Sequence, residues 1–121
     1  MAPRTAAGVS VNGAGERIRT AMLGLEGVSA HPHRFGGLEY RIGRRELGHV
    51  HGDSLVDIPF PRRIRDQVLA AGEAEAHHVL PDSGWVSRYL EGLEDVDAAI
   101  ELLRLSHQLA MNRGTRTRSN A

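Results

Sequence analysis

The sequence predicts an α+β domain, an antiparallel sheet of about five strands with helices packed on one face, in the order α-β-β-β-α-β-β-α. Three observations carry this. Segments with period-two alternation flank the short turn "GDS", and a hairpin makes the pairing antiparallel. Three other stretches place apolar residues at helical spacing. The chain has 121 residues, 40% of them hydrophobic, enough to bury one modest core.

Residues 1–14 are small and Gly-containing without helical period, so a flexible N-terminal arm is expected there. A single domain is then expected over 15–112 and a disordered tail over 113–121. Ile18, Ala21, Met22 and Leu25 recur at i, i+3, i+4 and i+7, which predicts a first helix with one apolar stripe, ended by Gly27. "SAHPHRFGG" reads as a loop, broken by Pro32 and Gly36–Gly37. "LEYRIG" alternates and reads as a half-buried strand.

"ELGHVH" and "LVDIPF" form a hairpin whose register can be argued. A three-residue turn at Gly52–Asp53–Ser54 pairs Val50 with Val56 on one face, and His49 with Asp57 and His51 with Leu55 on the other. A two-residue turn would set Val56 opposite His49 and mix the faces, so the hydrophobic pattern selects the first register. Pro61 suits the first turn of a second helix striped by Ile64, Val68 and Leu69 and stopped by Gly72. "AHHVLP" and "GWVSRYL" read as two strands joined by "PDSG". The last helix has acids in its first turn and a stripe of Val96, Ala99, Ile100 and Leu103, and it should end at Arg113–Gly114.

Composition narrows the chemistry. All fifteen basic residues are Arg, which excludes a Schiff-base lysine and a Walker-type phosphate loop. There is no Cys, so thiolate nucleophiles, disulfides and cysteine metal sites are excluded. Fifteen acids balance the fifteen arginines, and no global field points to nucleic acid or an anionic membrane. With no apolar run of about 20 residues and no signal-type segment at the start, a soluble cytoplasmic protein is expected.

What chemistry remains lies on the polar face of the hairpin. H-x-H on a strand points His49 and His51 to one side, and Asp57 opposes His49 across the ladder. Two imidazoles and a carboxylate suit iron or zinc, with His78 as a candidate fourth ligand; His77 should face the other way in a regular strand. The same residues also fit a metal-free site with His49 as base oriented by Asp57, or a polar face with no chemistry at all. Arg45 is a candidate partner for an anionic substrate group and Trp85 a pocket wall. His31 and His33 read as exposed loop residues, and His107 as a satisfied, half-buried helix residue. Arg44, Arg45, Arg62, Arg63 and Arg65 form one basic edge if the second helix packs near the hairpin.

The blocks "HPHRFGGLEYRIGRRELGHVHGD", "DIPFPRRIRDQVLAAG" and "HHVLPDSGWVS" resemble the luciferase-like domain family of small bacterial proteins, over about His31 to Ala110. The resemblance extends more distantly to the luciferases of bioluminescent fungi, which use dioxygen to oxidise a hydroxylated styryl-pyrone. Their pattern has an H-x-H matching His49 and His51 and a His matching His78, but a His where this chain has Asp57. The order of elements is also similar to that of MmcQ/YjbR-like α+β proteins, some of them proposed to bind DNA. The family resemblance implies a histidine-rich pocket. Read with the residues of the polar face, it leads to the first reading, an enzyme whose sharp version is an oxygenase-type reaction on an enolic or aromatic small molecule, with catalytic His49, His51, Asp57 and His78, metal-dependent or cofactor-free. Hydrolysis is the second enzymatic reading. The non-enzymatic alternative is a binding module that meets a protein or nucleic acid through the Arg edge. The expected partner is a small molecule, not a membrane, with nucleic acid disfavoured and the oligomeric state, a homodimer included, left open.

Overall fold

The computed structural model describes residues 9–33 and 36–119, with side chains as far as residue 113. Its elements run α1 (Ala14–Leu23), β1 (Val28–Pro32), β2 (Leu38–Ile42), β3 (Arg45–His51), β4 (Leu55–Pro59), α2 (Arg62–Ala70), β5 (Glu75–Ala76), β6 (Trp85–Tyr89) and α3 (Leu93–Ser119). All strand pairs are antiparallel, in the order β1-β2-β3-β4-β6-β5. The expected α+β class stands, with one strand more than the five expected, and the expected strand "AHHVLP" is reduced to the two-residue β5, its remainder being loop. The addition is β1, which the loop reading of "SAHPHRFGG" passed over because its alternation is interrupted by Pro32. As an edge strand it tolerates that proline.

Helices α1 and α3 cover one face. The expected stripe of α3 is buried at Val96, Ala99, Ile100 and Leu103, against Leu47, Val50, Val56, Ile58 and Val86 of the sheet and Ile18 and Met22 of α1. Helix α2 packs against β6 and adds Val68 to the same core. Helix α1 ends at Gly24 rather than Gly27, and Gly27 instead turns the chain into β1 at φ 76°. Helix α3 runs past Arg113–Gly114 to Ser119, so the helix does not stop where its glycine suggested. The expected N-terminal arm lies outside the described residues as far as residue 8, and Val11 bonds through its N–H to the Asp53 carbonyl. Among the described residues no helix is long and apolar enough to cross a membrane.

The hairpin register is the one the hydrophobic pattern selects: His49 faces Asp57, Val50 faces Val56 and His51 faces Leu55. Asp53 in its turn caps α1 from a distance, its carboxylate accepting the N–H of Gly15 at 2.7 Å and of Gly13 at 3.3 Å. One irregularity matters for the site. Tyr40 pairs with Gly48 and Arg41 with Glu46, so Leu47 is an extra residue bulged out of the ladder. The bulge turns Leu47 into the core and leaves Glu46 on the same face as His49. Gly48 permits it, because a Cβ there would sit 2.9 Å from the Asp57 carbonyl oxygen and 2.6 Å from Leu103 Cδ2.

Candidate functional site: imidazoles around a buried carboxylate

Asp57 lies on β4 with its side chain turned away from the helices and fully buried. A buried carboxylate is costly without partners. Its partners come from two neighbouring strands, β3 and β6, and from the loop after β5. Ser87, opposite it on β6, donates its hydroxyl to Oδ1 at 2.6 Å. Nε2 of His49 and Nε2 of His51 lie 3.1 Å and 3.0 Å from Oδ2. His77 brings Nε2 to 3.5 Å from the same oxygen, and His78 brings Nδ1 to 3.8 Å from Oδ1. Burial opposes the charged form, yet the hydrogen bonds from His49, His51 and Ser87 outweigh it and hold the Asp57 carboxyl well below its ordinary range.

His49 is held between two acids. Its Nδ1 lies 2.6 Å from Glu46 Oε2 while its Nε2 faces Asp57. Burial pulls its pKa down, but the hydrogen bonds and negative charges of Asp57 and Glu46 prevail and raise it to about 9. His49 is therefore an imidazolium at neutral pH without a metal, not the free base that the sequence admitted. The other rings pack around this cation. His33 stacks on it with centroids 4.0 Å apart, and the Trp85 ring lies at 5.1 Å. Burial and the His49 charge push the His33 pKa down. His77 is also pushed down, by burial first, against the pull of the Asp57 charge.

The hydrogen bonds fix which nitrogens carry protons. Nδ1 of His77 accepts the N–H groups of Val79 and Leu80, at 3.1 Å and 3.0 Å, so its own hydrogen is on Nε2 and points to Asp57. The Ser87 hydroxyl is spent on Asp57, so its oxygen accepts from His78 Nδ1 at 3.3 Å. That leaves Nε2 of His78 as the acceptor nitrogen of this ring. Above these groups opens a cleft of about 470 Å³ lined by His33, Glu46, His51, His78 and Trp85, with Val79 and Leu80 as an exposed apolar lip.

The structure brings together His49, His51, Asp57 and His78, with Trp85 as a wall. Arg45 is not in the lining: it pairs with Ile42 at the far end of β3, close enough to Arg113 of α3 for that charge to act on it, on the side away from the cleft. The basic edge is partly spoken for. Arg62 and Arg65 donate to the backbone carbonyls of Asp82 and Pro81 and so brace the turn that follows His77 and His78. His107 meets the Glu26 carbonyl at 2.8 Å, as a satisfied helix residue.

Glu46, His33, His77 and Ser87 were not read as site residues from the sequence. His77 escaped because β5 ends at Ala76, and the two adjacent rings then stack at 4.4 Å instead of alternating. For Glu46 a signal was available. Leu47 and Val50 are three apart and cannot both face the core of a regular strand, and the glycine between them marks a bulge.

Among the described residues, donors close enough to share an ion fall into three sets, each within 4.8 Å: His33–Glu46–His49, His49–His51–Asp57 and Asp57–His77–His78. The same stretch of chain is the one that a known family shares. The Luciferase-domain family model matches residues 44–106, from the start of β3 into α3. This chain belongs to the Luciferase-domain family. The match takes in every cleft residue named above except His33. No curated protein and no solved structure matches the chain significantly.

Proposed function

We propose that this chain is a small enzyme of the oxygenase type, acting on an enolic or aromatic small molecule held over its histidine face. The observation that carries the reading is the convergence of His49, His51, His77 and the Ser87–His78 pair on one buried carboxylate beneath an open, apolar-lipped cleft. Trp85, Val79 and Leu80 offer a flat ligand an apolar bed. With Arg45 outside the lining, a neutral substrate fits better than an anionic one.

His78 Nε2 takes the proton of the enol hydroxyl. The imidazolium formed there donates through Nδ1 to Ser87, whose hydroxyl donates to Asp57, so the new charge is held by a chain ending in a buried anion. The enolate left in the cleft lies close to the positive charge held at His49, the imidazolium itself or a cation bound in its place, which stabilises it. Deprotonation makes the enol electron-rich enough for dioxygen. Membership of the Luciferase-domain family supports this choice over hydrolysis on the same residues.

The test is ligand mapping by NMR, with phenols and hydroxylated pyrones titrated into labelled protein. Perturbations gathered at Trp85, His51, His78, Val79 and Leu80 are expected. Perturbation confined to Arg44, Arg62, Arg63 and Arg65 on adding duplex DNA would favour the binding-module alternative instead.

A further inference from the structure

Three ring nitrogens aim at one carboxylate oxygen: Nε2 of His49, His51 and His77, at 3.1, 3.0 and 3.5 Å from Asp57 Oδ2. They are not equivalent. His77 spends its Nδ1 lone pair on the N–H groups of Val79 and Leu80, so its Nε2 carries hydrogen and has no lone pair to offer. His49 has the reverse polarity. Its Nδ1–H is fixed by Glu46, and a neutral ring therefore presents the Nε2 lone pair toward Asp57. His78 uses Nδ1 on Ser87 and lies 3.8 Å from the other oxygen, Oδ1.

We infer that His49 Nε2, His51 Nε2 and Asp57 Oδ2 form a divalent metal site, with Glu46 as the outer carboxylate of His49 and with His77 and His78 outside the coordination sphere. The inference deepens the proposed function and rests on that reading for its chemistry, though not for its geometry. At metal–ligand distances of about 2.1 Å, neighbouring ligands stand about 3.0 Å apart in an octahedron and about 3.4 Å in a tetrahedron. The observed 3.0 Å and 3.1 Å need little adjustment. A carboxylate bonded to the far nitrogen of a metal-binding histidine is the usual means of fixing its tautomer, and Glu46 is so placed at 2.6 Å. Ser87 holds the other oxygen of Asp57, so Oδ2 stays directed at His49 and His51, with the His77 N–H at its far side at 3.5 Å. Two imidazoles and one carboxylate, with no thiolate, suit iron(II), cobalt(II) or zinc more than magnesium or calcium. Three protein donors leave positions open for exogenous ligands.

The test titrates the chelator-stripped full chain with cobalt(II), read by its visible d–d absorption and by calorimetry, with circular dichroism reporting the fold. One equivalent is expected. His49→Ala and His51→Ala should abolish the band, and Glu46→Gln should weaken binding by ~10–100-fold. His77→Asn keeps an acceptor for the Val79 and Leu80 N–H groups. It and His78→Ala should retain one equivalent with affinity changed by less than about 10-fold, the lower edge of an outer-sphere effect. Should His49→Ala fold poorly, the contrast between Glu46→Gln and His78→Ala still decides. Absence of a cobalt band from folded wild type would overturn the site, as would a loss in His77→Asn or His78→Ala equal to that in His49→Ala. A stripped protein that still binds phenols and consumes oxygen, with no cobalt band, sinks the metal site and spares the enzyme reading. One equivalent of cobalt with no ligand bound and no oxygen consumed supports the metal site and sinks the enzyme reading.

Discussion

Glu46 and His49, three residues apart on one strand, meet at 2.6 Å because Leu47 bulges between them. In a regular strand they would face opposite sides of the sheet. The bulge thus places a carboxylate behind the histidine at the centre of the site. Glu46→Gln keeps an acceptor but removes the charge, and it should lower the His49 pKa by roughly one unit. A histidine NMR titration of wild type and variant in chelator checks this. An unchanged midpoint would mean that Glu46 does not act on the ring.

Gly48 is what lets the bulge lie flat against β4. Gly48→Ala would drive a Cβ onto the Asp57 carbonyl and Leu103. The expected cost is about 1–3 kcal/mol in urea denaturation, with a matching disturbance of the His49–Asp57 pair.

Asp57 holds the site's polar groups together from a fully buried position. Asp57→Ala leaves the His49 cation with one acid instead of two and strips Ser87 and His77 of their acceptor. A loss of about 3–5 kcal/mol is expected, measured by the same denaturation.

Ser87 links His78 to that carboxylate. Ser87→Ala should lower kcat by about 100-fold or more with little change in KM, since it removes the link that supports the His78 imidazolium but not the ligand's bed. Steady-state kinetics on any substrate the cleft accepts would show it. An equal change in both constants would assign Ser87 to binding instead.

Stability should have a plateau bounded by these two groups. His49 folds with its pKa raised from 6.5 to about 9, so its contribution in metal-free protein is complete below pH 6.5 and is lost as pH rises through 9. The loss is on the order of 3 kcal/mol. Asp57 has its pKa lowered from 3.8, so its contribution is present above pH 3.8 and fades as pH falls through the depressed value. Melting temperature against pH, with chelator present, reads both limbs. A stability that climbed between pH 6.5 and 9 would contradict the charge assigned to His49.

Much of this was legible in the chain. The alternation of "ELGHVH" and "LVDIPF" sufficed to set His49 against Asp57, because a one-residue slip would have put Val56 on the polar face. The helical stripes found the core in the same way. What escaped was set by departures from regularity or by long-range pairing. Glu46 depends on the bulge, and His77 on a strand that stops after two residues. Ser87 reaches Asp57 only because β6 pairs with β4 across an intervening helix and strand, which no local pattern encodes. Arg45 misled because a position next to the histidines in sequence lies beyond the bulge, on the other side of the sheet.

The most direct measurement is oxygen uptake by wild type, His78→Gln and Asp57→Asn across a panel of phenols and hydroxylated pyrones, each protein checked for its fold. Substrate-dependent uptake by wild type is expected, falling by about 100-fold or more in both variants. Uptake that survives either replacement, or none above the protein-free rate with ligands shown to occupy the cleft, would contradict the proposed reaction.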